Sequence, residues 1–96
     1  MSGCRQPAGA TTKAVRAAIA SDLEHRAVVP PLHLSSNFVF DAPGVCGRYD
    51  YTRSGNPTRD HLADALMALE GGAACSIVSS GMAAVSVVTH LLKSGD

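Results

Sequence analysis

The clearest periodicity lies in the second half of the chain, where Leu62, Ala65, Leu66 and Leu69 fall at i, i+3, i+4 and i+7. That spacing lines one face of an α-helix. Ahead of it, Asn56-Pro57 offers an N-cap and a first helical proline; behind it, Gly71-Gly72 offers a left-handed stop. Ala73 to Ser79, with Cys75, Ile77 and Val78, predicts a short buried strand. Ser80-Gly81 turns the chain, and Met82 to Lys93 predicts a second helix carrying Val85, Val88, Leu91 and Leu92. Gly95-Asp96 then reads as a turn into another strand. A strand, a helix and a turn make an unfinished βαβ unit, because parallel strands pair only beyond a crossover. The pattern therefore predicts the leading piece of a longer α/β protein.

The first half is less periodic. Met1 to Ala10 predicts an irregular terminus. Thr11 or Thr12 caps a short helix with Ala14, Val15, Ala18 and Ile19 on one side, and Asp22 to Arg26 predicts a charged, exposed stretch. Val28-Val29-Pro30-Pro31 excludes helix interior, since each proline removes a donor and restricts its predecessor. The chain through Phe40 is therefore expected to be extended and to lie over another part of the protein. Asp41 to Gly47, with Pro43 and two glycines, predicts a loop.

Composition weakens the expectation of an independent core. Hydrophobic residues make up 46% of the 96 positions, but many are alanine, and the only aromatics are two Phe and two Tyr. A chain of this size buries about 65% of its unfolded surface and needs bulky side chains or a partner to be stable. Eight basic and eight acidic residues cancel, which gives no electrostatic footprint for nucleic acid or an anionic membrane. No apolar run approaches the roughly 20 residues of a membrane span. Cys4, Cys46 and Cys75 are odd in number and scattered, unlike a disulfide framework, which favours a cytoplasmic setting.

Two segments carry candidate chemistry, and both could hold a phosphate. Ser80-Gly81-Met82 stands at a strand-to-helix turn, where the first N–H groups lack helical partners and the dipole is positive. Gly81 has no Cβ to hold an anion off, and Ser80 adds a hydroxyl. Taken alone, such a turn more often serves plain chain reversal. Tyr51 and Arg53 are two apart in a stretch expected to be extended, so they share a side. A phenol and a guanidinium make a phosphate clamp, though a surface tyrosine beside a solvated arginine is the commoner arrangement. Arg59, beside Asp60, is expected to form an ordinary ion pair or to hold a carboxylate across an interface. His25, His33, His61 and His90 give no metal spacing, Ser35 and Ser36 lack a nucleophile elbow, and Lys13 and Lys93 sit in no desolvated pocket. No catalytic or metal-ligating residue is expected in this stretch.

The motifs taken together resemble one family. Val28-Val29-Pro30-Pro31-Leu32, Ser35-Ser36, Tyr51 to Arg59, Leu69-Glu70-Gly71-Gly72-Ala73 and Ser79-Ser80-Gly81-Met82-Ala83-Ala84 occur in the order and spacing of the N-terminal part of the pyridoxal-phosphate enzymes of cysteine and methionine metabolism. The resemblance runs from about Thr11 to Asp96. It implies a fold-type-I, aspartate-aminotransferase-like α/β architecture. Residues 1–55 would be an N-terminal helix and extended intersubunit arm, and residues 56–96 the start of the cofactor-binding large domain, with its first strand–helix unit. It also implies a homo-oligomer, a dimer of dimers with active sites shared between subunits, acting on amino-acid substrates. Pyridoxal 5′-phosphate would be bound by Gly81 and Met82, with Ser80 beside them, in one subunit and by Tyr51 and Arg53 reaching from its neighbour.

The reaction implied is a γ-replacement that makes cystathionine from O-succinylhomoserine and cysteine; γ- or β-elimination and acetylhomoserine sulfhydrylation by family members stay open. Ser54 stands where some relatives carry a second arginine, while Asp50 and Ser35-Ser36-Asn37-Phe38 lean toward bacterial replacement enzymes. The Schiff-base lysine has no matching position here, so this stretch alone is expected to be inactive. A non-catalytic module that docks on a full-length paralogue, or an inert remnant of a broken gene, are the alternatives of another class.

Overall fold

The computed structural model describes residues 8–96. Most of the irregular terminus expected over Met1 to Ala10, and Cys4, lie outside the described residues. Of its last three residues, Ala10 already begins helix α1, Ala10–Val15. Gly9 precedes it without a side-chain cap, so neither Thr11 nor Thr12 plays that part. The helix is also shorter than its apolar spacing predicts. Ala18 and Ala20 take positive φ values of 57° and 68°, which cannot continue a right-handed helix. Asp22, half-buried rather than fully exposed, then gathers the backbone N–H groups of Glu24, His25 and Ala27. Those bonds, led by the one from His25, hold its carboxyl below the usual range.

From Val28 to Val39 the backbone is free of helix and turn, as the prolines require, with bends at Val28-Val29 and at Ser36. It does rest on another part of the protein. Phe38 N–H donates to Asp50 C=O at 2.9 Å and Thr52 N–H donates to Ser36 C=O at 2.9 Å, an antiparallel bridge centred on Asn37 and Tyr51. Between these two stretches the expected loop is a short hairpin: β1 (Phe40–Ala42) pairs antiparallel with β2 (Val45–Cys46). Pro43 sits in the turn rather than in the ladder, so its missing N–H costs no pairing. Gly44 supplies the positive φ, 76°, that follows a turn proline.

Helix α2, Pro57–Glu70, matches its predicted bounds. Asn56 caps it, Pro57 opens it, and Gly71 closes it in the left-handed conformation at φ 68°. Helix α1 packs against it. Ala73 to Ser79 is extended but belongs to no sheet, correcting the strand expected there. No described segment lies beside it to complete a ladder, and an isolated strand has nothing to pair its backbone with. Helix α3, Gly81–Thr89, is four residues shorter at its end than the apolar pattern predicts. Leu91 and Leu92 continue in turns.

No hydrophobic side chain among the described residues is fully buried; Asn56, 7% exposed, is the one buried residue. The accessible surface is 8227 Å², against roughly 5,200 Å² for a folded monomer of this mass. The radius of gyration is 17.5 Å, where a globule of this length would have about 12–13 Å. Even the α2 stripe is open, with Leu62 half exposed. What holds the described elements in place locally is therefore polar bonding more than a core.

Candidate functional site

Tyr51 to Gly55 is a turn, not the extended stretch expected. Ser54 and Gly55 both donate their N–H groups to Tyr51 C=O, at 3.0 and 3.1 Å. The turn still brings the predicted pair together. Arg53 Nη2 donates to Tyr51 Oη at 3.5 Å, and its guanidinium carbon stands 5.7 Å from the Tyr51 ring centre. Both side chains are exposed.

The three arginines of this region differ in what they hold. Arg48 is paired with Asp60 at 3.3 Å. Arg59 makes no ion pair among the described residues; its Nη2 donates to Arg53 C=O at 3.2 Å, tying the turn to α2. The ion pair expected for Arg59 fails because Asp60 faces Arg48 and Tyr49 instead. Arg53 has no carboxylate partner among the described residues. It lines a cleft of about 370 Å³ together with Arg59, Asp60, Cys75 and Ile77, while Tyr51 stands outside that lining. A guanidinium without a carboxylate partner beside a phenol is a set of donors suited to an anion.

Four residues outside the predicted set build this geometry. Asn56 Oδ1 accepts from Thr58 N–H at 2.9 Å, while its Nδ2 donates to Thr52 Oγ1 at 2.8 Å and to His33 C=O at 3.1 Å. Tyr49 donates its hydroxyl to Asp60 at 2.6 Å. Burial, and then the Asp60 carboxylate, push the Tyr49 phenol above its ordinary pKa. Its ring stacks at a tilt on Phe38, with centroids 5.4 Å apart. A Cβ on Gly55 would lie 3.0 Å from the Tyr49 ring, so a side chain there would require the ring to give way slightly. Asp50 accepts from Ser54 Oγ and from Tyr51 N–H, both at 2.6 Å, and these bonds hold its carboxyl below the usual range. A sequence signal existed for Asn56, the cap before proline. None existed for the Tyr49–Asp60 bond, which spans eleven residues.

The second group is contiguous at the head of α3. Ser80 caps the helix, its Oγ accepting from Ala83 N–H at 3.1 Å, so its own O–H remains available to donate. Gly81 and Met82 N–H have no acceptor among the described residues. A Cβ on Gly81 would meet nothing within 4 Å, so the space in front of these amides is open. No acidic side chain stands in the first turn to offset the dipole. No hydrogen bond joins this group to the Tyr51–Arg53 pair.

Residues 11–96 match the family model described as "Cys/Met metabolism PLP-dependent enzyme". The chain is 52% identical to human cystathionine gamma-lyase over 71 residues, 74% of this chain and 18% of that enzyme. It is 45% identical to cystathionine gamma-synthase of Escherichia coli K12 over 86 residues, 88% of this chain and 22% of that one. Among solved structures, cystathionine gamma synthase from Xanthomonas oryzae pv. oryzae in complex with cystathionine superposes with a TM-score of 0.80 at 56% identity, over 88% of this chain and 22% of that one. The metB protein of Corynebacterium glutamicum gives 0.82 at 35% identity, over 93% and 24%. This chain thus spans about a fifth of the length of the relatives it matches. It belongs to the family of pyridoxal-phosphate-dependent enzymes of cysteine and methionine metabolism.

Proposed function

We propose that the chain is the leading part of an enzyme that makes cystathionine by γ-replacement, cysteine displacing succinate from O-succinylhomoserine. The observation that carries this reading is the pairing of an unneutralised Tyr51–Arg53 clamp with the unpaired amides of Gly81 and Met82. The family's cofactor is pyridoxal 5′-phosphate, and its phosphate matches that donor set in charge and in hydrogen-bonding capacity. The 56% identity with the Xanthomonas synthase supports replacement as the reaction. A second reading, γ-elimination, is favoured by the 52% identity with human cystathionine gamma-lyase.

In this reading Gly81 and Met82 hold the phosphate of their own subunit through backbone N–H groups, and Ser80 donates its hydroxyl from the cap. Tyr51 and Arg53 hold the phosphate in the neighbouring subunit of a dimer within a tetramer. Residues 1–55 form the intersubunit arm and residues 56–96 open the cofactor domain. The uncovered apolar side chains of α3, Val85 and Val88 among them, are then covered by the rest of the subunit and its partner. When bound, the cofactor supplies an electron-withdrawing ring that stabilises carbanions on the substrate. This stretch contributes positioning: its donors fix the ring by its phosphate end, so that residues elsewhere in the subunit meet the substrate at a set height. By itself it is inactive. No described helix is long and apolar enough to cross a membrane, and we assign the enzyme to the cytoplasm.

The test is a product assay on the complete polypeptide carrying this sequence, loaded with pyridoxal phosphate. Cystathionine from O-succinylhomoserine and cysteine is expected. Breakdown of added cystathionine without its synthesis would favour elimination, and neither reaction with cofactor bound would overturn the proposal.

A further inference from the structure

Asn56 is the most buried described residue and has the most hydrogen-bond partners of any side chain near the clamp. Its oxygen serves α2 as a cap, a role serine or aspartate fills as well. Its amide nitrogen does something a cap does not require. It donates to Thr52 Oγ1 at 2.8 Å, between Tyr51 and Arg53, and to His33 C=O at 3.1 Å, on the extended arm. The arm is held from both sides, because His33 N–H donates to Thr58 Oγ1 at 2.9 Å. The cap Asn56 and Thr58, two residues further on, thus take both backbone groups of a single arm residue.

We propose that Asn56 is a positioning residue for the phosphate clamp. Through its Nδ2 it fixes the Thr52 side chain, and with it the turn that aims the Tyr51 hydroxyl and the Arg53 guanidinium at one point. The inference rests on the reading of Tyr51 and Arg53 as a phosphate clamp. Its physical basis is that two exposed side chains on a short turn share an aim only if their backbone is held. The exposed Tyr51–Arg53 contact, at 3.5 Å, is too long to do that alone. A buried, fully bonded amide is a rigid anchor.

The experiment uses the complete polypeptide and two probes, pyridoxal 5′-phosphate and unphosphorylated pyridoxal, with affinities measured by equilibrium dialysis. Asn56→Ser keeps a neutral cap of equal quality and removes both amide donors. Thr52→Val keeps the shape and removes the acceptor, and it serves should the first variant fold poorly. Arg53→Ala is the control for the clamp itself. Each of the first two variants is expected to lose about fivefold in affinity for the phosphorylated probe, the weight of one hydrogen bond. Affinity for pyridoxal should stay unchanged. Equal losses for both probes, or none for the phosphorylated one, would overturn the positioning role. If Arg53→Ala itself spares the phosphorylated probe, the clamp reading is what fails.

Discussion

Helices α2 and α3 begin with similar signatures, Asn-Pro and Ser-Gly, yet they differ in how many of their first N–H groups find an acceptor among the described residues. At α2 one orphan donor is left, Arg59 N–H: Pro57 has no N–H, Thr58 N–H goes to the Asn56 side chain, and Asp60 N–H to the Asn56 carbonyl. Asp60 adds a negative charge in the first turn. At α3 both the Gly81 and the Met82 amides lack an acceptor among the described residues, and no acidic residue stands in the first turn. A helix start is thus an anion site only when its own sequence leaves the donors unused. The capped helix α2 instead anchors the neighbouring turn that carries Tyr51 and Arg53, through Asn56 and Arg59.

The sharpest way to break this comparison is to place a carboxylate at the open start. Gly81→Asp puts a negative charge at the first helical position, which favours the helix by about 0.3–1 kcal/mol. The same charge should repel a bound phosphate and reduce cofactor affinity on the order of 100-fold. Mixed dimers extend the test. With Gly81→Asp in one subunit and Arg53→Ala in the other, opposite-subunit grips put both lesions in one site. Half of the sites should then bind pyridoxal phosphate with the parent affinity. Impairment of all sites would show that the two grips act within one subunit.

The same contrast explains what could be read from the residues alone. Helix α2 was legible end to end because each of its boundaries is a local event, the Asn56 cap and the left-handed Gly71. The turn at Ser80-Gly81 was legible for the same reason. The strand expected over Ala73 to Ser79 was not, since a strand is defined by neighbours and none is present among the described residues. Around the clamp, Tyr51 and Arg53 were visible as donor types, but their support was not. Tyr49 and Asp60 meet across eleven positions and Asn56 and His33 across twenty-three, separations that no local pattern records. Arg59 was misjudged because adjacency to Asp60 on a helix does not make two side chains face each other.

A smaller effect should follow from cutting the clamp's support on the α2 side. Asp60→Asn removes the charge that Tyr49 and Arg48 share, at a cost of about 1 kcal/mol given the partial exposure of the pair. The Tyr49 phenol is held above its ordinary pKa by burial first and by Asp60 second. A raised pKa stabilises the fold in full below the ordinary value of about 10 and is lost as pH climbs through the folded value. Phenolate absorbance during an alkaline titration should therefore show Tyr49 ionising earlier in the variant than in the parent. It should still lag a free tyrosine, because burial remains. An unchanged titration would mean that Asp60 does not set this side of the clamp.

The smallest expected change lies within the turn itself. The Ser54 hydroxyl donates to Asp50 Oδ1 at 2.6 Å and lies 2.7 Å from Tyr51 C=O. Ser54 thus stiffens the turn. Asp50 has its pKa depressed, by the Ser54 hydroxyl first and the Tyr51 N–H second. A depressed carboxyl contributes stability above its ordinary range and loses it as pH falls through the folded value. Ser54→Ala should raise the Asp50 pKa in a carboxyl-resolved NMR titration. It should make the variant slightly less stable than the parent at neutral pH, with the gap closing as pH falls through the depressed Asp50 pKa. A gap that persists in acid would assign the loss to the Ser54 contact with the Tyr51 carbonyl instead. In that case the hydroxyl supports the backbone of the clamp directly, without acting through the Asp50 charge.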